Sequence, residues 1–113
     1  MSENSYILEE MRGQVAVLTL NRPETYNAWR DKDRIAFGEI LRRCGADDAV
    51  SAIVVTGKGD KAFCGGQDLR EGQEITKLDH DASIAFWTRF RAFYDVVQGI
   101  EKPVITALNG VAA

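Results

Sequence analysis

Residues 61–69 read KAFCGGQDL: a cysteine, two adjacent glycines, a glutamine and an aspartate directly after an apolar pair. Four chemistries compete for such a stretch. A phosphate loop needs the spacing GxxxxGK[ST], and here Gly57-Lys58-Gly59 runs into Asp60 without it. A dinucleotide fingerprint needs GxGxxG, but alanine occupies position 62, where the third glycine belongs. A nucleophilic cysteine needs a base to form the thiolate. The only histidine, His80, lies in a polar stretch that nothing fixes beside Cys64. Cys64 therefore reads as a small buried side chain, and His80 as a solvated loop or cap residue. The fourth chemistry belongs to the backbone. A strand emerging at Phe63 and turning at Gly65-Gly66 lets a ligand approach its N–H groups closely. Amides held this way can donate to an oxygen that becomes negative during reaction. Asp68, just past the turn, is placed to cap a short helical turn. On residue types alone this remains a glycine-rich strand-to-loop turn.

The elements that must position the turn follow from periodicity. YILEE and VAVLTL read as a hairpin whose turn is Arg12-Gly13. Pro23 in NRPE then breaks the strand. A helix is expected from about Asn27 to Cys44, with Ile35, Ile40, Leu41 and Cys44 on one face, Phe37 at its border and Gly45 as C′ residue. SAIVVTG is a short β-branched run, as in a strand covered on both faces. REGQEITKLDHD shows little periodicity, and its second half is expected to be a mobile loop ending in Asp79 or Asp81 as a helix cap. The next helix carries Ile84, Trp87, Phe90, Tyr94 and Val97 at three-to-four-residue spacing and ends at Gly99, with Pro103 beyond it. That aromatic stripe reads as core before it reads as a ligand wall. PVITAL is expected to be another buried strand, parallel to and beside AIVVTG. The fold class is α/β.

Length and charge exclude other classes. At 113 residues the chain is one domain or part of one. With 45% hydrophobic and 27% charged residues, its composition is that of a globular protein rather than a disordered one. A net charge of -3 gives no electrostatic footprint for nucleic acid or a polybasic membrane contact. No apolar stretch approaches the ~20 residues that span a bilayer. MSENSYILEE lacks the basic start and apolar core of a signal peptide. Cys44 and Cys64 have no partnered spacing, so neither a disulfide framework nor a metal site is expected. A reduced, cytoplasmic protein is the expectation. Because KPVITALNGVAA enters a small-residue turn with no polar tail, the chain is expected to be the front part of a longer domain.

Three stretches in order, NRPETYNAW, KAFCGGQDL and KPVITALNGVAA, resemble the crotonase family, the enoyl-CoA hydratase/isomerase superfamily. The resemblance spans nearly the whole chain and implies that residues 1–113 form the N-terminal part of a single acyl-CoA-binding domain. Its fold would be a crotonase-like ββα superhelix, incomplete here. It implies an acyl-CoA thioester as partner, coenzyme A being part of the substrate, and no separate cofactor. The backbone N–H of Gln67 would be one oxyanion donor. The second would belong to a Gly-rich turn just after Ala113, and the acid/base carboxylates would lie further on. Substrate contacts would come from Tyr26 and Ala28 and from the backbone of Ala62, Cys64, Gly65, Gly66, Gln67, Asp68 and Leu69. Family members commonly assemble as trimers or pairs of trimers. Departures are Trp29 where leucine or phenylalanine is frequent, Gly65 for alanine or serine, and Gln67 for a small residue. The long Gln67 amide is expected to reach toward the acyl group. Glu71, Glu74, Asp79 and Asp81 read as solvated loop charges. The alternative is a non-catalytic chain that binds acyl-CoA or protein partners only.

Overall fold

Alternation in VAVLTL turns Ala16, Leu18 and Leu20 inward, where they are 3%, 0% and 1% exposed, and this makes the segment the floor of the core. The computed structural model describes residues 5–113, so the first residues of the stretch judged above for a signal peptide lie outside the described ones. Strand β1, Ile7–Arg12, pairs antiparallel with β2, Val15–Leu20. Arg12 still pairs with Val15, so the turn is Gly13-Gln14 rather than Arg12-Gly13, with Gly13 at a φ of 62°.

After β2 a single 3-10 turn, Pro23–Thr25, ends in two residues with left-handed backbone, Tyr26 and Asn27, both at a φ of 56°. They delay helix α1, which runs Asp31–Ala46 and not from Asn27. Its start is fixed by Asp33, whose carboxylate accepts from the backbone N–H of Arg30 at 2.9 Å. Gly45 is inside α1 and not at C′; a Cβ there would lie 3.1 Å from Ile100 Cδ1, so the glycine admits that side chain. The buried face is Arg34, Phe37, Gly38, Leu41 and Cys44, while Ile35 is 44% exposed. The expected Leu41 and Cys44 are therefore inward and Ile40 packs against the core, but Phe37 lies within the face rather than at its border, and the hydrophobicity pattern misses Arg34 because an inward arginine scores as outward.

Strand β3, Ala52–Gly57, is followed by β4, Ala62–Cys64. REGQEITKLDHD is largely helical: α2 spans Leu69–Ile75, and only a short turn separates it from α3, His80–Gly99. Asp68 and Asp79 make the difference. Their side chains accept from Glu71 N and Ala82 N respectively and cap the two helices. On α3 the buried residues are Phe86 and Phe93, while Ile84, Trp87 and Tyr94 are exposed. This helix is apolar on two adjoining stripes, and packing against α1 selects the one that spacing alone did not.

Strand β5, Val104–Thr106, pairs parallel with β3, and β6, Val111–Ala112, pairs parallel with β4. The sheets have the orders β1-β2-β3-β5 and β4-β6, so the second strand–strand turn of the chain is laid on the first. The expected parallel neighbours are therefore present. The expectation of a buried β5 is corrected: as an edge strand it leaves Val104 and Ile105 39% and 53% exposed. Among the described residues no helix is long and apolar enough to cross a membrane.

Candidate functional site

Two asparagines tie down the loop that leads into the glycine turn. Asn27 is fully buried; its Oδ1 accepts from Arg22 N at 2.8 Å, and its Nδ2 donates to Lys58 O and Ala62 O at 3.1 and 3.0 Å. Asn109 accepts from Gly57 N at 2.9 Å and donates to Gly59 O and the same Ala62 O. Tyr6 holds the first asparagine, donating its hydroxyl to Asn27 O at 2.6 Å. Burial pushes the Tyr6 phenol pKa up, which keeps it a donor. These contacts answer what the NRPETYN and NG stretches do: they are scaffold, a role the sequence reading missed.

The turn itself is strung between neighbouring chain segments. Gly65 N donates to Tyr26 O at 2.8 Å, Trp29 N to Gly66 O at 3.0 Å and Asp68 N to Trp29 O at 2.9 Å. Trp29 and Gln67 thus form a parallel bridge. In such a bridge the flanking peptides face the partner, so the N–H of Gln67 lies on the side away from Trp29. Among the described residues it has no hydrogen-bond acceptor. Gly66 makes the geometry affordable with a φ of 92°, a region side chains avoid.

Two clefts meet at this turn. One, of about 640 Å³, is mainly apolar and is walled by Trp29, Phe90, Tyr94, Cys64, Gly66 and Gln67, among others. The other, of about 810 Å³, is the more polar of the two, carrying the charged side chains of Arg22, Arg30, Glu71 and Glu74, and includes Tyr26, Ala28, Gly65, Gln67, Asp68 and Leu69. Gly65 and Gln67 line both. Of the substrate-contact residues that the resemblance implies, Ala62 alone lines neither; it is 3% exposed in β4. Phe90 and Tyr94 wall the apolar cleft and Trp87 does not, so the aromatic stripe is not simply core.

The Cys64 thiol is buried, accepts a contact from Gly66 N at 3.4 Å, and has its pKa pushed up by burial, the reverse of an activated nucleophile. His80 is the exposed first residue of α3 and lines neither cleft. Asp68 is held below the usual carboxylate range first by the Glu71 N–H it caps and also by Arg22, 3.2 Å away. Glu71 is corrected from a solvated charge: its Oε1 accepts from Asp31 N at 2.7 Å and from Gln67 Nε2 at 3.1 Å. Gln67 Oε1 in turn accepts from Nη1 of the buried Arg34 at 2.8 Å. No group of three or more metal-ligating side chains occurs among the described residues.

The family model for enoyl-CoA hydratase/isomerase matches residues 10–113. The mitochondrial enoyl-CoA hydratase of Pongo abelii is 39% identical over 110 residues, covering 95% of this chain and 36% of that protein. The 1,2-epoxyphenylacetyl-CoA isomerase of Escherichia coli K12 is 34% identical, covering 96% and 41%. The crystal structure of an enoyl-CoA hydratase from Bacillus anthracis superposes with a TM-score of 0.81 at 26% identity, over 95% of this chain and 41% of that one. The chain thus spans about 40% of the length of the relatives it matches.

Proposed function

Because the chain belongs to the enoyl-CoA hydratase/isomerase family, we propose that it is part of an acyl-CoA-processing enzyme that stabilises a thioester enolate through the backbone N–H of Gln67. The observation that carries the reading is that amide: fixed by the Trp29 bridge, without an acceptor among the described residues, and set where the apolar cleft meets the more polar one. A thioester crossing the turn would place its acyl group in the apolar cleft and its coenzyme A arm in the polar one. Tyr26, Ala28, Gly65, Asp68 and Leu69 would line the arm, and Cys64 and Gly66 the acyl side.

The chemistry follows from charge. Adding water to an α,β double bond, or moving that bond, puts negative charge on the thioester oxygen. A preset N–H lowers that barrier because it need not reorganise as the charge develops. A second donor and the proton-transferring carboxylates are assigned to chain beyond Ala113. Within residues 5–113 the carboxylate nearest in the network, Glu71, is committed to Asp31 N and Gln67 Nε2. Coenzyme A enters as part of the substrate, no separate cofactor is invoked, and the protein is read as a cytoplasmic homo-oligomer, a trimer or hexamer. Residues 1–113 are read as the N-terminal part of one domain.

The test uses the full-length protein and an enoyl-CoA, following loss of the conjugated thioester. Gln67→Ala keeps the amide and should retain much of kcat, with a cost in stability from the released Arg34. Gln67→Pro removes the donor and should lower kcat about a hundredfold or more, the size of one oxyanion contact. Circular dichroism must show both variants folded. A folded Pro variant that turns over like the parent refutes the assignment.

A further inference from the structure

The apolar cleft contains one charged side chain that its lining does not explain. Arg34, on the inward face of α1, is 2% exposed and forms part of the cleft wall beside Gln67 and Phe90. Its Nη1 donates to Gln67 Oε1 at 2.8 Å, but Nε and Nη2 have no hydrogen-bond partner among the described residues. The guanidinium carbon stands 4.9 Å from the Phe90 ring centroid and 5.7 Å from that of Phe86. Such stacking offsets part of the charge's desolvation but satisfies no N–H. Buried donors left open are costly, so they point to an acceptor that arrives later.

We propose that Arg34 is a specificity-determining residue that selects acyl groups carrying a neutral oxygen acceptor, such as a hydroxyl or carbonyl, along the chain. The proposal rests on the acyl-CoA reading above and deepens it. Neutrality is argued from the surroundings. Nη2 is 3.7 Å from Glu71 Oε1 and 4.0 Å from Asp31 Oδ1, too far for a hydrogen bond but close enough to balance the charge. A carboxylate on the acyl group would bring uncompensated negative charge into an aromatic wall, which is strongly disfavoured. A hydroxyl or carbonyl completes the donors without adding charge. The two open nitrogens are sealed from solvent, so the oxygen reaches them when a wall side chain turns, an ordinary adjustment on binding.

The experiment measures dissociation constants of the full-length protein for saturated acyl-CoA thioesters by calorimetry. Each ω-hydroxyacyl-CoA of roughly four to eight carbons, a span suited to a pocket of this class, is paired with the alkyl thioester of equal chain length. Succinyl-CoA supplies the carboxylate arm. The expected result is a preference of about tenfold for the hydroxyacyl member at one or more lengths, what one buried hydrogen bond supplies. In Arg34→Met that ratio falls to near one, whatever the absolute affinities become. Equal or tighter binding of the alkyl member at every length overturns the proposal, as does a preference that survives in Arg34→Met. Tighter binding of succinyl-CoA than of the hydroxyacyl members overturns the neutral-acceptor assignment. Should Arg34→Met not fold, the parent's own comparisons decide. If alkyl thioesters bind and no preference is seen, only this proposal fails; if no acyl-CoA binds at all, the family reading of the site fails first.

Discussion

Replacing Asn27 should damage the fold and the site together, and the structure fixes the size of the effect. Asn27→Ala strips the acceptor from Arg22 N and the donor from Lys58 O and Ala62 O. Ala62 O keeps Asn109, so the groups left open are one N–H and one carbonyl. Orphaning the partly buried N–H costs about 1–3 kcal/mol and the carbonyl, also partly buried, about 1 kcal/mol. Alanine held at a φ of 56° adds about 1 kcal/mol that asparagine avoids. The expected loss is about 3–5 kcal/mol, against a total of about 5–15 kcal/mol for a typical domain. With a urea slope of about 2 kcal/mol per molar, the unfolding midpoint should fall by about 1.5–2.5 M. Asn27→Asp is the sharper control. It can still accept from Arg22 N, but it turns an oxygen toward the carbonyls of Lys58 and Ala62, so it should be no milder than alanine. Because Gly65 N hangs on Tyr26 O, surviving folded protein should also lose kcat. If Asn27→Asp lies within about 1 kcal/mol of the parent, the donor role argued here is wrong.

Cys64→Ala or Cys64→Ser should leave turnover within about tenfold, far from the loss on deleting a covalent nucleophile; a folded variant with kcat down by several decades would reinstate the thiol. Asp68 has a carboxyl pKa held below its unfolded value, so its contribution to stability is present above the unfolded pKa and is lost as pH falls through the folded one. Asp68→Asn should therefore flatten the acid limb of a stability-against-pH curve while lowering its plateau, and an unchanged limb would count against the cap. Arg70, an exposed residue on the polar cleft, should meet the anionic coenzyme A arm. Arg70→Glu should raise KM several-fold at low salt with kcat little changed, and the effect should shrink as salt screens it; an equal KM at low salt refutes it.

What the sequence showed and hid divides along physical lines. Strands β2 and β3 were legible because their alternation or β-branched density serves a single buried environment. The glycine turn was legible because only its backbone matters there, and Gly66 at a φ of 92° leaves a residue-type signature. The Asp68 cap at the start of α2 was legible in the sequence, but the length of that helix was not, because it leans on Glu71 reaching Asp31 N, a contact that has no period. The faces of α1 and α3 were legible only in part, Leu41 and Cys44 on α1 being buried as expected and Ile40 and Val97 packing against the core. Arg34 occupies an inward position that a hydrophobicity pattern scores as outward, and Phe86 and Phe93 are buried while the neighbouring Trp87 and Tyr94 are not. Burial of β5 depends on what covers an edge strand, which its own residues do not encode.

Gln67 joins the two halves of the site, and its side chain makes sense only with Arg34. Any residue but proline at position 67 supplies the amide, so the proposed oxyanion contact does not call for a long side chain. The glutamine side chain instead fits a gap that needs an acceptor at one end and a donor at the other: Arg34 Nη1 at 2.8 Å and Glu71 Oε1 at 3.1 Å. Leucine would fill the same volume, strip Arg34 of its observed hydrogen bond and leave Glu71 Oε1 with Asp31 N alone among the donors observed. Alanine would open the cleft and leave the guanidinium with no hydrogen bond among those observed. The residue that looks out of place in the turn is therefore held there by a buried arginine on another helix. Backbone geometry at Gly66-Gln67 can serve one chemistry for many acyl groups, while the side chains behind it decide which acyl group is accepted. On this argument Gln67→Ala, which frees a further Arg34 donor, should strengthen the preference for oxygen-bearing acyl groups, Arg34→Met should abolish it, and the double variant should differ little from Arg34→Met alone, since both act on one guanidinium.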